Sequence, residues 1–161
     1  MEIKITWSKP IEIFKPGKYN TVEKFIEHLR KLIEEIENPL LDIEGVFMFL
    51  SGQLKPEEKL SVVSIEGSIE RTIKEHLYKK KGHVRELKCI YKNYKDETLY
   101  LKIGALSEIN PDILKNSVCS LIDYVDPSCN EKCTEEYTKL EIVNIGNYSP
   151  LPERLPLLEE E

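Results

Sequence analysis

The residues best suited to bind a charged ligand form a dense cationic run in the middle of the chain. From Arg71 to Lys102 there are ten Lys or Arg residues against four Asp or Glu residues, although the whole chain of 161 residues has a net charge of −6. Cations gathered in one stretch of an acidic chain are typical of a surface that neutralises phosphates. We therefore predict a nucleic-acid interface, with DNA or RNA as the partner. Its predicted residues are Arg71, Lys74, Lys79, Lys80, Lys81, His83, Arg85 and Lys88.

Two ambiguities accompany this prediction. Gly82 after three lysines is also typical of a solvated helix end, where cations are favourable without any ligand. Further along, Tyr91 and Tyr94 lie among Lys88, Lys92 and Lys95. These tyrosines could stack on bases if they are exposed, or they could belong to the core.

The cysteines form no recognisable metal or redox motif. Cys89, Cys119, Cys129 and Cys133 contain no C-x-x-C pair, and no pair of histidines accompanies them. Ordinary free thiols in a reducing compartment are the favoured interpretation. A zinc site and disulfide bonds stay open as alternatives, and no metal ligand is predicted.

A predicted hairpin precedes the cationic run, and the predicted helix that follows the hairpin contains the first residues of the run. The apolar segments 46–50 and 60–65 are rich in residues that favour strands, with polar residues and Pro56 between them. Gly67 and Ser68 then predict a helix start with Ser68 as N-cap, and Ile69, Ile73 and Leu77 follow at helical spacing.

This arrangement resembles the GIY-YIG nuclease superfamily. Gly45-Val46-Phe47 falls where the first motif belongs, and Val62-Val63-Ser64 falls where the second belongs. The helix SIERTIKEH is similar to the family helix and ends on His76, and residues 117–130 are similar to the family's closing helix and its Asn.

The resemblance implies phosphodiester hydrolysis by two tyrosines, an arginine, and a divalent metal held by a glutamate. In this chain the two tyrosine positions fall on Phe47 and Val62, the arginine position on Thr72 and the glutamate position on Val118, none of which can perform these roles. The glycine of the second motif is replaced by Ser64. Only His76 and Asn130 are retained, and we interpret them as a structural histidine and a turn residue. We therefore expect a catalytically degenerate protein with no catalytic residues and no cofactor.

Two alternatives to this function remain. One is a protein-interaction or regulatory module without affinity for nucleic acid. The other is a Mg²⁺-dependent endonuclease with a relocated site, for which Glu108, Asp112 and Asp123 are the available carboxylates.

The rest of the chain predicts further strands and helices. Strands are expected at 3–7 and 11–14, split by Lys9-Pro10, and at 97–103 and 140–145, the last pairing with the N-terminal strand. Helices are expected from Asn20 or Thr21 to Asn38-Pro39, and from Asn110-Pro111 to Asp126. Segment 87–94 is compatible with a strand or a helix.

The predicted fold class is α/β (α+β), a small, mostly antiparallel sheet flanked by helices. We divide it into an N-terminal strand-helix extension (1–43), a GIY-YIG-like core (44–130), a C-terminal strand (131–147) and a flexible tail (148–161). No apolar run reaches membrane-spanning length, and the charged N-terminus does not read as a secretory signal, which predicts a cytoplasmic protein without a membrane partner.

Overall fold

A computed structural model of the chain describes residues 2–53, 59–78 and 84–156. Within these residues the chain forms seven strands and four α-helices. The strands are β1 (Glu2–Trp7), β2 (Ile11–Phe14), β3 (Gly45–Ser51), β4 (Ser61–Ser68), β5 (Leu99–Leu106), β6 (Glu141–Gly146) and β7 (Arg154–Leu155). The helices are α1 (Val22–Glu35), α2 (Ile73–Tyr78), α3 (Val84–Tyr94) and α4 (Pro111–Val125). The predicted fold class is confirmed.

All seven strands belong to one sheet with the order β4-β3-β5-β1-β6-β7, and β2 pairs with β5. β1 and β2 pair with successive parts of β5, because Lys9-Pro10 interrupts the ladder between them. The pairing of β1 with β6 is parallel and the other pairings are antiparallel. The strands of residues 1–43 and 131–147 are therefore part of the same sheet as the hairpin β3–β4.

Helices cover both faces of the sheet and create two apolar cores. Along β3, Val46, Met48 and Leu50 face the core that includes α4. Phe47 and Phe49 face the core that includes α1, α2 and α3. A strand covered on both faces needs apolar residues at every position, which explains the continuous apolar run.

The helix after the hairpin begins later than the sequence predicts. Ser68 is the last residue of β4 and pairs with Gly45, while its hydroxyl donates to the carbonyl groups of Arg71 and Thr72. Thr72 precedes the helix, and its hydroxyl accepts from the Glu75 amide while Glu75 accepts from the Thr72 amide, both at 3.1 Å. Ser68 as N-cap is therefore wrong, because Thr72 and Glu75 form the reciprocal capping pair.

Two further differences concern α3 and the C-terminal segment. Segment 87–94, ambiguous in sequence, is helical. Residues 148–156 were expected in a flexible tail, but Leu151 and Leu155 are buried and Arg154–Leu155 pairs with β6.

A buried lysine holds the start of this C-terminal segment. Lys102 on β5 donates to the carbonyl oxygens of Asn147 and Ser149, each at 2.7 Å. Asn144 on β6 also joins the segment to the sheet, because its side chain accepts from the Trp7 indole and donates to the Pro152 carbonyl. The rest of the predicted tail, 157–161, lies outside the described residues.

None of the helices in the described part of the chain is long and apolar enough to cross a membrane.

Candidate nucleic-acid interface

Helix α3 and Lys95, the residue directly after it, present four exposed cations along one side. Arg85, Lys88, Lys92 and Lys95 are all exposed, and their spacing of three and four residues places them on a single stripe. We call these four residues the basic ridge. The opposite side of the helix, with Leu87 and Ile90 fully buried, packs on the core. The core thus fixes which way the cations face.

Two members of the basic ridge leave their charge open to a ligand. Lys88 and Lys92 make no ion pair with any residue that the structure describes. Arg85 pairs with Glu131, and both side chains are largely exposed. Lys95 lies over the Tyr91 ring, with its Nζ atom 5.7 Å from the ring centre. Exposed pairs of this kind contribute little stability, so a phosphate can compete for Arg85.

The two tyrosines of α3 are partly covered by the core and by neighbouring loops. The Tyr91 ring centre lies 5.5 Å from that of Phe25, and the Tyr94 hydroxyl hydrogen-bonds Ser128. The core interpretation of these residues is therefore the one that the geometry supports.

The remaining predicted cations have different surroundings. Lys74 on α2 is half-buried. Arg71, which precedes α2, is also half-buried, and its guanidinium donates a hydrogen bond to His76. Lys79, Lys80, Lys81 and His83 lie outside the described residues. The described part of the predicted interface is therefore concentrated on α3.

A buried ionic cluster lies beneath α3 and joins it to α2 and β4. Arg71 donates to His76 Nδ1 at 2.9 Å, so the neutral ring carries its proton on Nε2, which lies 3.8 Å from Glu66 Oε1. The Glu66 side chain is only 10% exposed. Glu86 on α3 acts electrostatically on both Glu66 and His76.

Burial sets the protonation of this cluster. It raises the pKa of Glu66 well above its usual range; the Glu86 charge raises it further, whereas Arg71 lowers it. Burial lowers the pKa of His76 to about 4, with Arg71 acting in the same direction and Glu86 opposing it. His76 is therefore neutral near pH 7, as expected of a structural histidine.

The structure separates the positions that the nuclease resemblance equates with catalytic residues. The Phe47 ring lies 5.3 Å from the His76 ring on one face of the sheet. Val62 and Val118 pack on the core of the other face. Thr72 serves as a helix cap, and the Ser64 side chain is fully buried. These positions therefore do not line one cleft.

The first glycine of the resemblance has a packing role. A Cβ atom on Gly45 would lie 2.5 Å from the carbonyl oxygen of Gly104 on β5. No other residue type fits at this distance from a backbone atom without displacing the neighbouring strand.

Asn130 has a role that the sequence did not reveal. As a turn residue, its backbone amide donates to the Pro127 carbonyl oxygen at 3.3 Å. Its side chain also accepts from the Ile65 amide at 2.6 Å and donates to the Ile65 carbonyl at 3.0 Å. With the Cys129 amide donating to Val63, the segment 127–133 covers the outer edge of β4, which would otherwise expose unpaired backbone groups.

The carboxylates proposed for a relocated metal site do not converge. Asp112 and Asp123 lie eleven residues apart on α4, which separates them by about 16 Å along the helix. Asp123 pairs with Lys139, and Glu108 is exposed in the loop before α4. Among the described residues, no three side chains of metal-binding type come together.

All four cysteines are paired. Cys89 on α3 bonds to Cys129, and Cys119 on α4 bonds to Cys133. The favoured interpretation as free thiols is wrong, because the fold brings partners 40 and 14 residues apart in sequence to Cα distances of 5.7 and 5.9 Å. Both bonds anchor the segment 127–133, one from each side of the sheet.

Comparisons with known proteins returned no matching protein family, no matching curated protein and no matching solved structure.

The regular stripe of the basic ridge was hidden in the sequence because segment 87–94 was ambiguous. The spacing 85, 88, 92, 95 becomes a single surface only on a helix.

Proposed function

We propose that this protein binds nucleic acid through the basic ridge of α3, without cleaving it. The observation that carries the proposal is the orientation of four cations, which are exposed together on α3 and at the residue directly after it, while the other side of the helix is buried: Arg85, Lys88, Lys92 and Lys95. A helix fixed in this way presents cations without an entropic cost for ordering its backbone.

The charge distribution supports the same proposal. Outside the stretch from Arg71 to Lys102, the chain has a net charge of −12, because this stretch contributes +6 to a total of −6. An acidic body repels phosphates, so a bound strand is expected to follow the ridge.

The absence of cleavage is also proposed from residues of this chain. The positions that the GIY-YIG resemblance equates with a hydrolytic centre carry Phe47, Val62 and Val118 on two faces of the sheet. A nuclease-like scaffold that has lost its catalytic residues but still binds nucleic acid is the interpretation that accounts for both the resemblance and the basic ridge. Binding then requires no cofactor, and Mg²⁺ is needed only in the nuclease alternative.

A cytoplasmic location also stays a proposal. Two disulfides are compatible with it only where the cytosol preserves such bonds, as in hyperthermophiles.

Fluorescence anisotropy over a salt series tests the proposal. Labelled single-stranded and double-stranded DNA and RNA are titrated with the protein in the presence of Mg²⁺. We expect affinity that falls steeply with salt, with a logarithmic slope of roughly −0.7 for each phosphate contact on a single strand. Denaturing gels of the same samples should show intact strands.

Absence of binding at low salt would contradict the proposal and favour the protein-interaction alternative. Mg²⁺-dependent cleavage would contradict the proposal that the protein does not cleave nucleic acid. It would favour the endonuclease alternative, for which Glu108, Asp112 and Asp123 are the available carboxylates.

A further inference from the structure

A small aromatic cleft lies between β2 and the start of α1. Its volume is about 200 Å³, and its lining includes Phe14, Tyr19 and His28. Lys15 and Lys18, both exposed, lie at the same cleft, together with the carboxylate of Glu12. The cleft is smaller than the usual site for a drug-sized ligand, so it suits a single flat ring system.

The aromatic side chains of the cleft are held by their neighbours. The Tyr19 ring centre lies 4.7 Å from that of His28 and 5.4 Å from that of Phe14. Phe14 in turn stacks on the buried Phe25 at 3.7 Å. Tyr19 is half-buried and therefore keeps part of its ring accessible, while the core beneath fixes its position.

His28 offers a defined hydrogen-bonding pattern. Its Nε2 atom lies 3.0 Å from the Ile13 carbonyl oxygen, which can only accept. Nε2 therefore carries the proton, and Nδ1 is the acceptor of the neutral ring. Burial raises the pKa of Tyr19, so its hydroxyl stays protonated as a donor.

The cleft adjoins the end of the basic ridge. The Gly17 amide, in the loop that carries Lys15 and Lys18, donates to the Lys95 carbonyl at 3.0 Å. Lys95 is the last cation of the ridge. A strand whose phosphates follow α3 therefore reaches this loop, where two further cations continue the positive surface.

We propose that the cleft receives one unstacked base of a single-stranded nucleic acid whose phosphates follow the basic ridge. This inference rests on the proposed function and assigns it a strand type. Bases in a duplex are stacked and paired, whereas a single strand can turn one base onto an aromatic side chain. The Glu12 carboxylate repels phosphates, so the backbone passes on the side of Lys15 and Lys18.

The test compares strands with and without bases. Anisotropy is measured with a labelled single strand of about 12 nucleotides, in DNA and RNA forms, within the site sizes that small binding folds use. The same DNA strand with abasic sites keeps every phosphate and removes the stacking partner. We expect the wild-type protein to bind the abasic strand roughly fivefold more weakly or worse.

Tyr19→Leu and Tyr19→Phe form a matched pair of variants. Tyr19→Leu should weaken binding of the normal strand by a similar factor, with the salt slope and the duplex affinity unchanged, whereas Tyr19→Phe keeps the ring and should retain the affinity. Circular dichroism checks that both variants fold. If Tyr19→Leu does not fold, the abasic comparison on the wild-type protein still decides.

The outcomes separate the two proposals. Equal binding of normal and abasic strands, or equal affinity of Tyr19→Leu and wild type, would overturn the base-binding cleft and leave the ridge intact. Absence of binding to every strand and duplex would overturn both.

Discussion

Removal of the disulfide between Cys89 and Cys129 should destabilise the fold strongly. The bond joins α3 to the segment that covers the edge of β4, and the cysteines are 40 residues apart in sequence. Replacing both by alanine removes the covalent link, and each variant residue still fills part of the original space. The chain otherwise keeps its charge, including the basic ridge.

The expected magnitude follows from the length of the closed loop. A crosslink across 40 residues restricts the unfolded chain by about 4 kcal/mol in the chain-entropy description. The bond between Cys119 and Cys133 closes only 14 residues and should contribute about 3 kcal/mol. The two loops overlap, so the combined loss should be smaller than the sum.

The assay is urea unfolding of the wild type and of the two double-alanine variants. Thiol titration of the unfolded, unreduced wild type comes first and should detect no thiol, with all four appearing after reduction. The variant lacking Cys89 and Cys129 should then be the less stable of the two, and reduction, which breaks the bond that each variant retains, should remove most of this difference.

Two results would refute this reasoning. Four reactive thiols in the unreduced protein would show that the bonds do not form. Fully formed bonds, together with an unchanged free energy of unfolding in the variant without Cys89 and Cys129, would show that the segment is held by its other contacts alone.

Three further predictions concern single side chains. Asn130→Ala removes both hydrogen bonds to Ile65 and should cost about 2 kcal/mol in urea unfolding, since it leaves the strand edge unpaired; a loss below about 0.5 kcal/mol would contradict that role. Lys102→Met should cost about 2 kcal/mol and speed amide hydrogen exchange in residues 147–156, whereas unchanged exchange would show that the lysine does not anchor them. Because the folded pKa of Glu66 is raised, the contribution of Glu66 to wild-type stability should fall as pH rises above about 4.5; Glu66→Gln should lack that contribution and gain stability relative to the wild type toward pH 8. In the Glu66→Gln protein the folded pKa of His76 remains low, so stability should drop by about 1–2 kcal/mol between pH 6.5 and 4, after allowance for solvent screening; a flat profile would contradict the burial argument.

Sequence patterns predicted the elements that depend on local chemistry. The alternation in Glu2–Trp7 and the apolar run in β3 follow from burial of one or both faces, and Asn110-Pro111 begins α4 as predicted, with Asn110 accepting from the Ile113 amide at 2.8 Å. Such features depend on neighbours in sequence.

The missed features depend on residues far apart in sequence. Two hydroxyl residues, Ser68 and Thr72, could each cap a helix, and the pairing of Ser68 with Gly45 decides between them. Asn130 meets Ile65 across 65 residues, and the cysteines pair without any motif. Local spacing carries no signal for such contacts.

The candidate site likewise combines a feature that is visible in the sequence with features that require the folded chain. The cationic stretch is visible from composition, but its stripe on α3 requires the helix. The cleft around Tyr19 and His28 arises from two elements that precede the cationic stretch, so no local pattern connected it with Lys95.

The central claim is tested most directly by removing two charges from the basic ridge. Lys88→Gln/Lys92→Gln is compared with Lys115→Gln/Lys139→Gln, which removes two exposed lysines on the other side of the sheet. Single-strand affinity is measured by anisotropy from low to moderate salt.

We predict that the ridge variant loses roughly tenfold or more in affinity near 0.1 M salt and that its logarithmic salt slope becomes shallower by about 1.4, two contacts at 0.7 each. The control variant should differ from the wild type by much less. Equal losses in the two variants would show only a general charge effect, and unchanged binding of the ridge variant would contradict the assignment of α3 as the nucleic-acid interface.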